Sequence, residues 1–313
     1  MRDDGSSLNV LVLAGGPDRE RAVSLKSGAE VVAALREAGH HVEQRDVSET
    51  DLSALDDFTA WPGDVIFPVL HGPWGEGGGL QRHLDARRLP YVGTRHEAAA
   101  LCMDKPATKT ALRAAGLPTP AHAVVDGAAP ITLDPPVVLK PTHEGSSIGM
   151  AICRDGEALR AAQRELAAAY STLLVEQYVA GREITVGVLG ASTDALTALP
   201  PIEIVPAAEF YDFHAKYDSE QTQYRFDIDL PRALLDRLKE LALATHRTLG
   251  ARHLSRVDFI VDEAGDPWIL EINTLPGFTT HSLLPMAAAR HGLPMPALVD
   301  QLVRSAAAET AAR

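Results

Sequence analysis

The most informative stretch of the sequence is RVDFIVDEAGDPWILEIN, residues 256–273. Two apolar runs flank residues 263–266, whose acidic residues and glycine are typical of a turn, and the pattern predicts an antiparallel β-hairpin. We expect Asp262 to face Pro267 across this turn. Because side chains alternate between the two faces of a strand, this register determines which residues of the hairpin lie together.

The predicted register gives the hairpin one polar face and one apolar face. It sets Asp258 opposite Glu271. Further from the turn, it sets Arg256 opposite Asn273. The residues expected on the packing face are Phe259, Val261, Leu270 and Ile272. Opposed carboxylates repel, and a hard divalent cation bound by carboxylate and amide oxygens would offset that repulsion. A solvent-exposed face in which Arg256 neutralises the carboxylates would explain the same pattern, but the rigid turn sequence at 274–278 favours a metal site.

A second informative segment is KPTHEGSSIGM, residues 140–150, which connects two predicted strands. It does not match a P-loop, because a P-loop feeds directly into a helix that begins with Lys and Ser or Thr. A Gly/Ser loop can nonetheless fold over phosphates and donate backbone N–H groups, with Lys140 adding a positive charge. An ordinary hairpin tip is the alternative, and the loop taken alone favours it. Taken singly, Lys105, Glu176 and Glu183 are weak signals.

The first hundred residues alternate strands with helices. The predicted strands are 8–14, 41–47, 65–71 and a short one at 90–92, and the predicted helices are 20–38 and 80–86. This order predicts an α/β unit with a parallel, doubly wound sheet. Ligands of such sheets bind beyond the carboxyl ends of the strands, so we expect residues 15–20 and 71–79 to share one crevice.

Near residue 104 the regular alternation of strands and helices ends, and two α+β units follow. The first has predicted strands at 119–125, 137–140, 150–153 and 173–178, and a helix that begins after Asp155. The second has predicted strands at 184–189, 195–199 and 202–205, a polar aromatic loop at 209–224, a helix at 231–249 and then the hairpin. We therefore expect three units, at residues 1–102, 103–182 and 183–313.

Composition argues against several classes of protein. The chain has 313 residues and a formal net charge of −13, which argues against a general binder of nucleic acid or anionic membranes. No apolar run approaches the roughly 20 residues that span a bilayer, and the first residues lack the apolar core of a signal peptide. The two cysteines, Cys102 and Cys153, match no metal-ligand spacing and indicate a reduced chain. We expect a cytoplasmic protein.

Taken together, these features resemble the D-alanine–D-alanine ligase family of the ATP-grasp superfamily, over residues 15–286. The motifs that carry the resemblance are ERAVS at 20–24, HG at 71–72 with GE at 75–76, the loop at 144–150, the segment 211–217, RVD at 256–258 and the segment 271–283. The resemblance implies an ATP-grasp fold with a Rossmann-like substrate domain, a central lid domain and a C-terminal catalytic domain. It places ATP between the last two and implies a homodimer.

The resemblance assigns roles in ATP and metal binding that spacing alone does not supply. It implies that Lys105 and Lys140 hold phosphates, that Glu176 reads the adenine amino group, and that Glu183 binds the ribose. The full implied ATP-binding set is Lys105, Lys140, Ser147, Glu176, Gln177, Val179, Glu183, Phe210, Lys216 and Leu270. The implied ligands of two Mg²⁺ ions, which Mn²⁺ can replace, are Asp258, Glu271 and Asn273.

The resemblance also implies how two D-alanines are held and joined. Glu20 would bind the ammonium of the first, and Glu20, Ser146 and Tyr217 would form a hydrogen-bonded trio that closes the loop over ATP. The implied substrate-binding set is Glu20, His71, Lys216, Ser282 and Leu283, of which the last three hold the second carboxylate. Arg256 and the Gly277 N–H would stabilise the tetrahedral oxyanion. The expected activity is ATP-dependent formation of D-alanyl-D-alanine through D-alanyl phosphate, releasing ADP and phosphate, for peptidoglycan synthesis.

Four residues bear on how closely the chain follows the family pattern. Relatives commonly carry Asp-Gly after the GE motif, whereas this chain has Gly77 and Gly78, and we expect a looser loop there. Tyr178 stands where relatives often have Trp. Relatives that make D-alanyl-D-lactate replace the match of Tyr217, so its presence favours the dipeptide. The alternatives are another ATP-grasp carboxylate–amine or depsipeptide ligase, and a non-catalytic nucleotide-binding protein. The latter would have lost metal or oxyanion residues, and none is lost.

Overall fold

The computed structural model describes residues 6–127, 129–143, 145, 148–190, 196–206 and 222–311. The first part of the chain forms β1 (Asn9–Leu13), α1 (Arg21–Glu37), β2 (His41–Arg45), α2 (Ser53–Ala60), β3 (Val65–Pro68), α3 (Gly72–Gly75), α4 (Gly79–Ala86) and α5 (His96–Met103). β1 lies between β2 and β3 and pairs parallel with both, which confirms the predicted parallel sheet. The strand predicted at 90–92 is reduced to one parallel bridge between Ile66 and Tyr91.

Both faces of this first sheet are covered, which explains why β1 is apolar throughout most of its length. Val10 and Val12 pack on one face with α1 and with the last helix of the chain. Leu11 and Leu13 point to the other face and pack with α2 and α4. Because its side chains alternate between the two faces of the sheet, β1 contributes apolar residues to the packing on both sides, as a doubly wound sheet requires.

The second sheet is small and antiparallel. Its region of the chain forms α6 (Lys105–Ala114), β4 (His122–Asp126), β5 (Val137–Pro141), β6 (Ala151–Cys153), α7 (Gly156–Ala167) and β7 (Thr172–Gln177). The strand order is β4-β7-β5-β6, and α7 packs on the sheet through Leu159. Asp155 caps α7 as predicted, because its Oδ1 accepts hydrogen bonds from the N–H groups of Glu157 and Ala158 at 2.9 and 2.8 Å.

The third sheet is larger and contains the hairpin. This part of the chain forms β8 (Gly181–Gly190), β9 (Thr197–Ala198), β10 (Ile202–Val205), β11 (Gln223–Arg225), α8 (Arg232–Thr248), β12 (His253–Asp262), β13 (Pro267–Asn273), α9 (Leu283–Arg290) and α10 (Met295–Ala311). The order is β11-β10-β8-β12-β13, with β9 paired to β8. The core on one face includes Leu238 and Leu241 of α8, and Leu284 of α9 belongs to the core on the other face.

The hairpin has the predicted register at its polar end and a different one near the turn. Asp258 lies opposite Glu271 and Arg256 opposite Asn273, as expected. The register then shifts after Asp258, so that Val261 faces Pro267 and the predicted pairing of Asp262 with Pro267 is wrong. The shift is a β-bulge that adds one residue to β13. Beyond the bulge, the side chains of β13 that would have pointed to one face of the sheet point to the other. The core position predicted for Leu270 is therefore occupied by Ile269, which is fully buried, and Leu270 is only half-buried.

The C-terminal helix α10 joins the third sheet to the first. Leu298 and Leu302 share a core with α1 and the first sheet. Two histidines add polar contacts: His40 binds Asp300 at 2.8 Å and His253 binds Glu309 at 3.1 Å. α1, α8 and α10 have 17 residues each, and within the described ranges no helix is both long and apolar enough to cross a membrane.

One buried histidine makes stability depend on pH. His246 of α8 lies 2.7 Å from the Ser255 hydroxyl, and burial, with a smaller contribution from Arg247 and His253, lowers its pKa from 6.5 to about 4. The unfolded chain therefore takes up this proton first, and stability falls as the pH drops from 6.5 towards 4. Between about pH 7.5 and about pH 5, this group should remove about 2 kcal/mol from the free energy of unfolding.

The measurement is denaturant unfolding at both pH values for the wild type and His246→Asn, whose amide can retain the bond to Ser255. The variant should lose less stability on acidification than the wild type. His291→Asn, at an exposed position, is the matched control and should follow the wild type. Equal losses in the wild type and His246→Asn would contradict the prediction.

Candidate active site

A cavity of about 810 Å³ opens where the carboxyl ends of the first sheet meet the polar end of the hairpin. Its walls come from segments far apart in sequence, including the start of α1, the loop after β3, β13 and the start of α9. The predicted site residues that line it are Glu20, His71, Lys105, Arg256, Glu271, Asn273, Gly277, Ser282 and Leu283. The structure therefore brings together most of the predicted substrate-binding residues, both predicted oxyanion groups and two predicted metal ligands.

Other predicted residues lie outside the walls of this cavity or outside the described part of the chain. The described residues that do not line it are Lys140, Glu176, Gln177, Val179, Glu183, Asp258 and Leu270. The predicted residues that fall outside the described residues are Ser146, Ser147, Phe210, Lys216 and Tyr217. Most of the aromatic loop predicted at 209–224 lies outside them as well.

Arg256 and Asp258 form a buried two-point ion pair at the polar end of β12. The Nε and Nη2 atoms of Arg256 donate to Oδ1 and Oδ2 of Asp258 at 2.9 and 2.7 Å. The Thr185 hydroxyl of β8 also donates to Oδ1, at 2.6 Å. Arg256 thus neutralises the carboxylate that faces Glu271, as one of the two sequence interpretations expected. Both side chains are nearly inaccessible, so the solvent-exposed face that this alternative interpretation requires is not observed.

A second cluster of charges lies between the second and third sheets, around Glu176. Its two carboxylate oxygens pair with Lys109 and Lys140. Burial alone would raise the pKa of Glu176, but the positive charges of the two lysines outweigh that effect and lower the pKa to about 2. Lys105 is half-buried, and the loss of solvent around its ammonium group lowers its pKa, while Glu271 acts in the opposite direction. Three lysines and two carboxylates therefore form one electrostatic network beside the cavity.

The segment after β7 runs from the second sheet to the third. The Gln177 side chain and the Tyr178 N–H both donate to the Pro136 carbonyl at 3.0 Å. The Arg154 guanidinium lies 5.7 Å from the centre of the Tyr178 ring, a cation–π contact. Val179 follows, and Glu183 lies in β8 opposite Ile260. This segment connects the two sheets, and the residues to which the resemblance gives adenine and ribose roles lie on it or in the two strands that it joins.

Two residues that the sequence did not single out belong to the site. Lys109 is fully buried and pairs with Glu176. The sequence could have indicated Lys109 through its spacing, because it follows Lys105 by four residues on α6 and therefore lies on the same face of that helix. Glu76, noted only as part of a motif, lines the cavity and accepts hydrogen bonds from the Thr274 and Leu275 N–H groups at 3.2 and 3.4 Å. It holds the loop that leads to Gly277.

The loop around Gly77 is close-packed, and the expected looseness is wrong. The Gly72 carbonyl accepts from the Glu76 and Gly77 N–H groups at 2.8 and 3.2 Å, and Asp18 accepts from the Gly75 N–H at 3.0 Å. A Cβ atom at Gly77 would lie 2.5 Å from the Pro73 carbonyl oxygen, a distance that real Cβ atoms do not reach. A side chain at this position therefore requires the backbone to move.

We expect Gly77→Ala to lower the free energy of unfolding by about 1–3 kcal/mol, because the added methyl group overpacks the loop. Denaturant unfolding measures this directly. Gly156→Ala is the matched control, because a Cβ there meets only the far end of the flexible Arg160 side chain, at 3.2 Å. If both variants unfold at the same denaturant concentration as the wild type, the loop has room for a side chain and this interpretation fails.

Comparison with known proteins agrees with this geometry. A family model described as the D-ala D-ala ligase C-terminus matches residues 121–304. The D-alanine–D-alanine ligase B of Chromobacterium violaceum is 44% identical over 91% of this chain and 93% of its own length. The D-alanine–D-alanine ligase of Gluconobacter oxydans is 43% identical over 96% of this chain and 100% of its own.

Solved structures of related ligases have the same fold. The D-alanine–D-alanine ligase of Coxiella burnetii superposes with a TM-score of 0.83 at 26% identity, covering 98% of this chain and 95% of its own. That of Bacillus anthracis, solved in complex with ATP, superposes with a TM-score of 0.82 at 28% identity, covering 98% and 99%. The three sheets and the charged cavity between them define an ATP-grasp protein. Within that class, the chain belongs to the D-alanine–D-alanine ligase family.

Proposed function

We propose that the chain joins two D-alanines into D-alanyl-D-alanine at the expense of ATP, through a D-alanyl phosphate intermediate, for peptidoglycan precursor synthesis. The observation that carries the proposal is the composition of the cavity. An acidic residue from the start of α1, Glu20, lines the same cavity as Arg256 of β12 and Ser282 before α9. Glu20 can accept hydrogen bonds from an ammonium group, Arg256 can donate to an oxyanion, and Ser282 can donate to a carboxylate. A peptide-forming site needs these three polar functions.

The carboxylate of the second D-alanine is assigned to the start of α9. Ser282 is the N-cap residue of this helix, and its hydroxyl accepts from the Thr279 N–H at 3.0 Å and lies 2.9 Å from the Thr279 hydroxyl. Helix N-termini present unpaired N–H groups and a positive end of the dipole, and both favour a carboxylate. We assign the Leu283 backbone and Lys216 to the same carboxylate, and His71 to the substrate cavity wall.

The oxyanion is assigned to Arg256 and the Gly277 N–H. A Cβ atom at Gly277 would lie 2.8 Å from the Ser282 hydroxyl, so this backbone approaches the carboxylate subsite as closely as glycine allows. The two assigned subsites are therefore neighbours, as they must be when the amine of the second D-alanine attacks the acyl phosphate of the first. Glu20, which lines the same cavity, would hold the ammonium of the first D-alanine. Glu20, Ser146 and Tyr217 are the proposed lid-closing trio.

ATP is assigned to the lysine-rich region between the second and third sheets. Its phosphates would be held by Lys105, Lys140 and the loop that contains Ser147, and its adenine amino group by Glu176. The remaining proposed contacts are Gln177, Val179, Glu183, Phe210, Lys216 and Leu270. We propose domain limits that match this division, with substrate, lid and catalytic domains at residues 1–102, 103–182 and 183–313. The separate second and third sheets support the boundary between the last two.

The residues at the hairpin fit a hard divalent cation. Asp258 and Glu271 are opposed across two antiparallel strands, so their carboxylates share one face, and Asn273 of the same strand adds an amide oxygen. Oxygen donors of this kind are the ligands that Mg²⁺ and Mn²⁺ prefer. Two such ions, when bound, would offset the charge of the ATP phosphates. Independently of them, Arg256 holds the Asp258 carboxylate in position through two hydrogen bonds.

The family resemblance supports two further proposals, a homodimer and a cytoplasmic location. Direct tests are the mass of the purified protein by light scattering and fractionation of cells.

The test of the function is ADP release with ATP and Mg²⁺, supplying D-alanine, L-alanine or D-alanine with D-lactate, and identifying products by mass spectrometry. We expect release with D-alanine alone and a product with the mass of the dipeptide. Activity with D-lactate as the second substrate would indicate a depsipeptide ligase. Absence of ADP release with every alanine, in a protein that still binds ATP, would overturn the substrate assignment.

A further inference from the structure

The proposed function gives Lys109 no role, although the surroundings of its side chain are unusual. The side chain of this residue, in the middle of α6, is fully buried. Lysine is almost never fully buried unless its charge is paired, because moving an ammonium group out of water is unfavourable. The ammonium group therefore requires a specific set of partners, and the structure shows them.

The contacts of Lys109 lead to two different sheets, directly to the second and through Thr119 to the third. Its Nζ pairs with Oε1 of Glu176 in β7 and donates to the Thr119 hydroxyl at 2.9 Å. The Thr119 hydroxyl in turn donates to the Ile269 carbonyl of β13, also at 2.9 Å. One hydrogen-bonded chain thus runs from the carboxylate in the second sheet to the strand that carries Glu271.

Lys140 occupies the other side of the same carboxylate, at Oε2 of Glu176. The two lysines therefore have different surroundings. Lys109 is enclosed by α6, Thr119 and β7, whereas Lys140 is the last residue but one of β5 and begins the glycine loop. In the first setting the ammonium group meets Glu176 and Thr119 and is closed off from solvent. A lysine in the second can also reach a phosphate group.

We propose that Lys109 is a positioning residue for nucleotide recognition, which holds Glu176 as an ionised acceptor for the exocyclic amino group of a purine and leaves Lys140 for the phosphates. This inference rests on the proposed function, since it takes the roles of Glu176 and Lys140 from it. The physical argument is one of charge. Without Lys109, Lys140 would be the nearest remaining countercharge for a buried carboxylate, and base recognition and phosphate binding would compete for one ammonium group.

The inference predicts a loss that is specific for the base. Lys109→Met should weaken ADP binding about 10- to 100-fold, as expected for disturbing a charged hydrogen bond in a buried site. Binding of IDP should weaken less, because IDP carries a carbonyl oxygen in place of the amino group and does not use Glu176 as an acceptor. The preference for ADP over IDP should therefore shrink. Lys109→Arg, which keeps the charge, should retain part of the preference.

The experiment is isothermal calorimetry of ADP and IDP binding in the presence of Mg²⁺, with the wild type, both Lys109 variants and Lys239→Met. Lys239 lies on the outer part of α8, paired with Asp236 at 3.8 Å, so its replacement is a matched control that should bind like the wild type. A second readout is the pH profile of kcat/KM for ATP. In Lys109→Met the Glu176 pKa should rise, so activity should be lost at higher pH than in the wild type as the pH falls.

A merely structural role for Lys109 would give a different result. Lys109→Met would then be less stable but would keep the wild-type ratio of ADP to IDP affinity, and the inference would be overturned. If Lys109→Met does not fold, the test uses Lys109→Arg instead, because the longer, forked arginine side chain should still reduce the ratio of ADP to IDP affinity. A wild-type protein that prefers ADP to IDP but makes no dipeptide would refute the ligase proposal and leave this inference intact.

Discussion

Glu271→Gln is expected to lower turnover about 100- to 1,000-fold while ATP affinity changes only several-fold. Glutamine has the shape of glutamate and should fit the same position on β13, opposite Asp258. What it removes is one negative charge from the network that includes Lys105 and Lys140. That charge is assigned to a metal ligand, and its loss should affect the transferring phosphoryl group more than bound ATP, since interactions that strengthen only in the transition state govern kcat.

The measurement is steady-state ADP release with Mg²⁺, giving kcat and the KM for ATP separately. Glu263→Gln is the matched control, because it makes the same chemical change at an exposed position in the turn of the same hairpin. It should retain wild-type kinetics. Near-normal turnover in Glu271→Gln would falsify the metal assignment, and a large rise in KM with unchanged kcat would place the residue in ATP binding instead.

Arg256→Lys is expected to lower kcat by about 100- to 1,000-fold, corresponding to about 3–4 kcal/mol, with little loss of stability. Lysine keeps a positive charge beside Asp258, so the buried carboxylate is not left without a countercharge. It cannot reproduce the planar fork through which arginine donates to both Asp258 oxygens at once. The side chain should therefore lose the orientation that a developing oxyanion requires.

The effect should be largest in the second half of the reaction, where the oxyanion forms. We expect the ratio of ADP released to dipeptide formed to rise above one, because acyl phosphate that waits longer for the amine is lost to water. Parallel assays of ADP and dipeptide measure this ratio. Arg237→Lys, at an exposed position on α8, is the control. A slow variant that still releases one ADP for each dipeptide would argue against an oxyanion role for Arg256.

Much of the site could be predicted from the sequence because it is encoded in local patterns. The pairing of Asp258 with Glu271 follows from the two-residue period of strands and from the turn between them. The capping of α7 by Asp155 follows from the hydrogen bonds that only a short polar side chain can make at that position. The parallel first sheet follows from the alternation of strands and helices.

Other features depend on how side chains and backbone pack in three dimensions and are not visible in the sequence pattern. The bulge that buries Ile269 in place of Leu270 is one of them, since both residues are apolar and both registers satisfy the pattern. The closeness of Gly77 to the Pro73 carbonyl depends on how a single turn folds back on itself.

The sequence by itself determined the class of the protein, the order of its units and the pairing at the polar end of the hairpin, because those properties depend on periodicity and on motifs. The tertiary structure alone decided that Lys109 meets Glu176, 67 residues away along the chain, and that helix α10 packs on the first sheet. The physical reason is that a buried charge is stable only where the fold brings its partner, and no spacing in the sequence encodes that meeting.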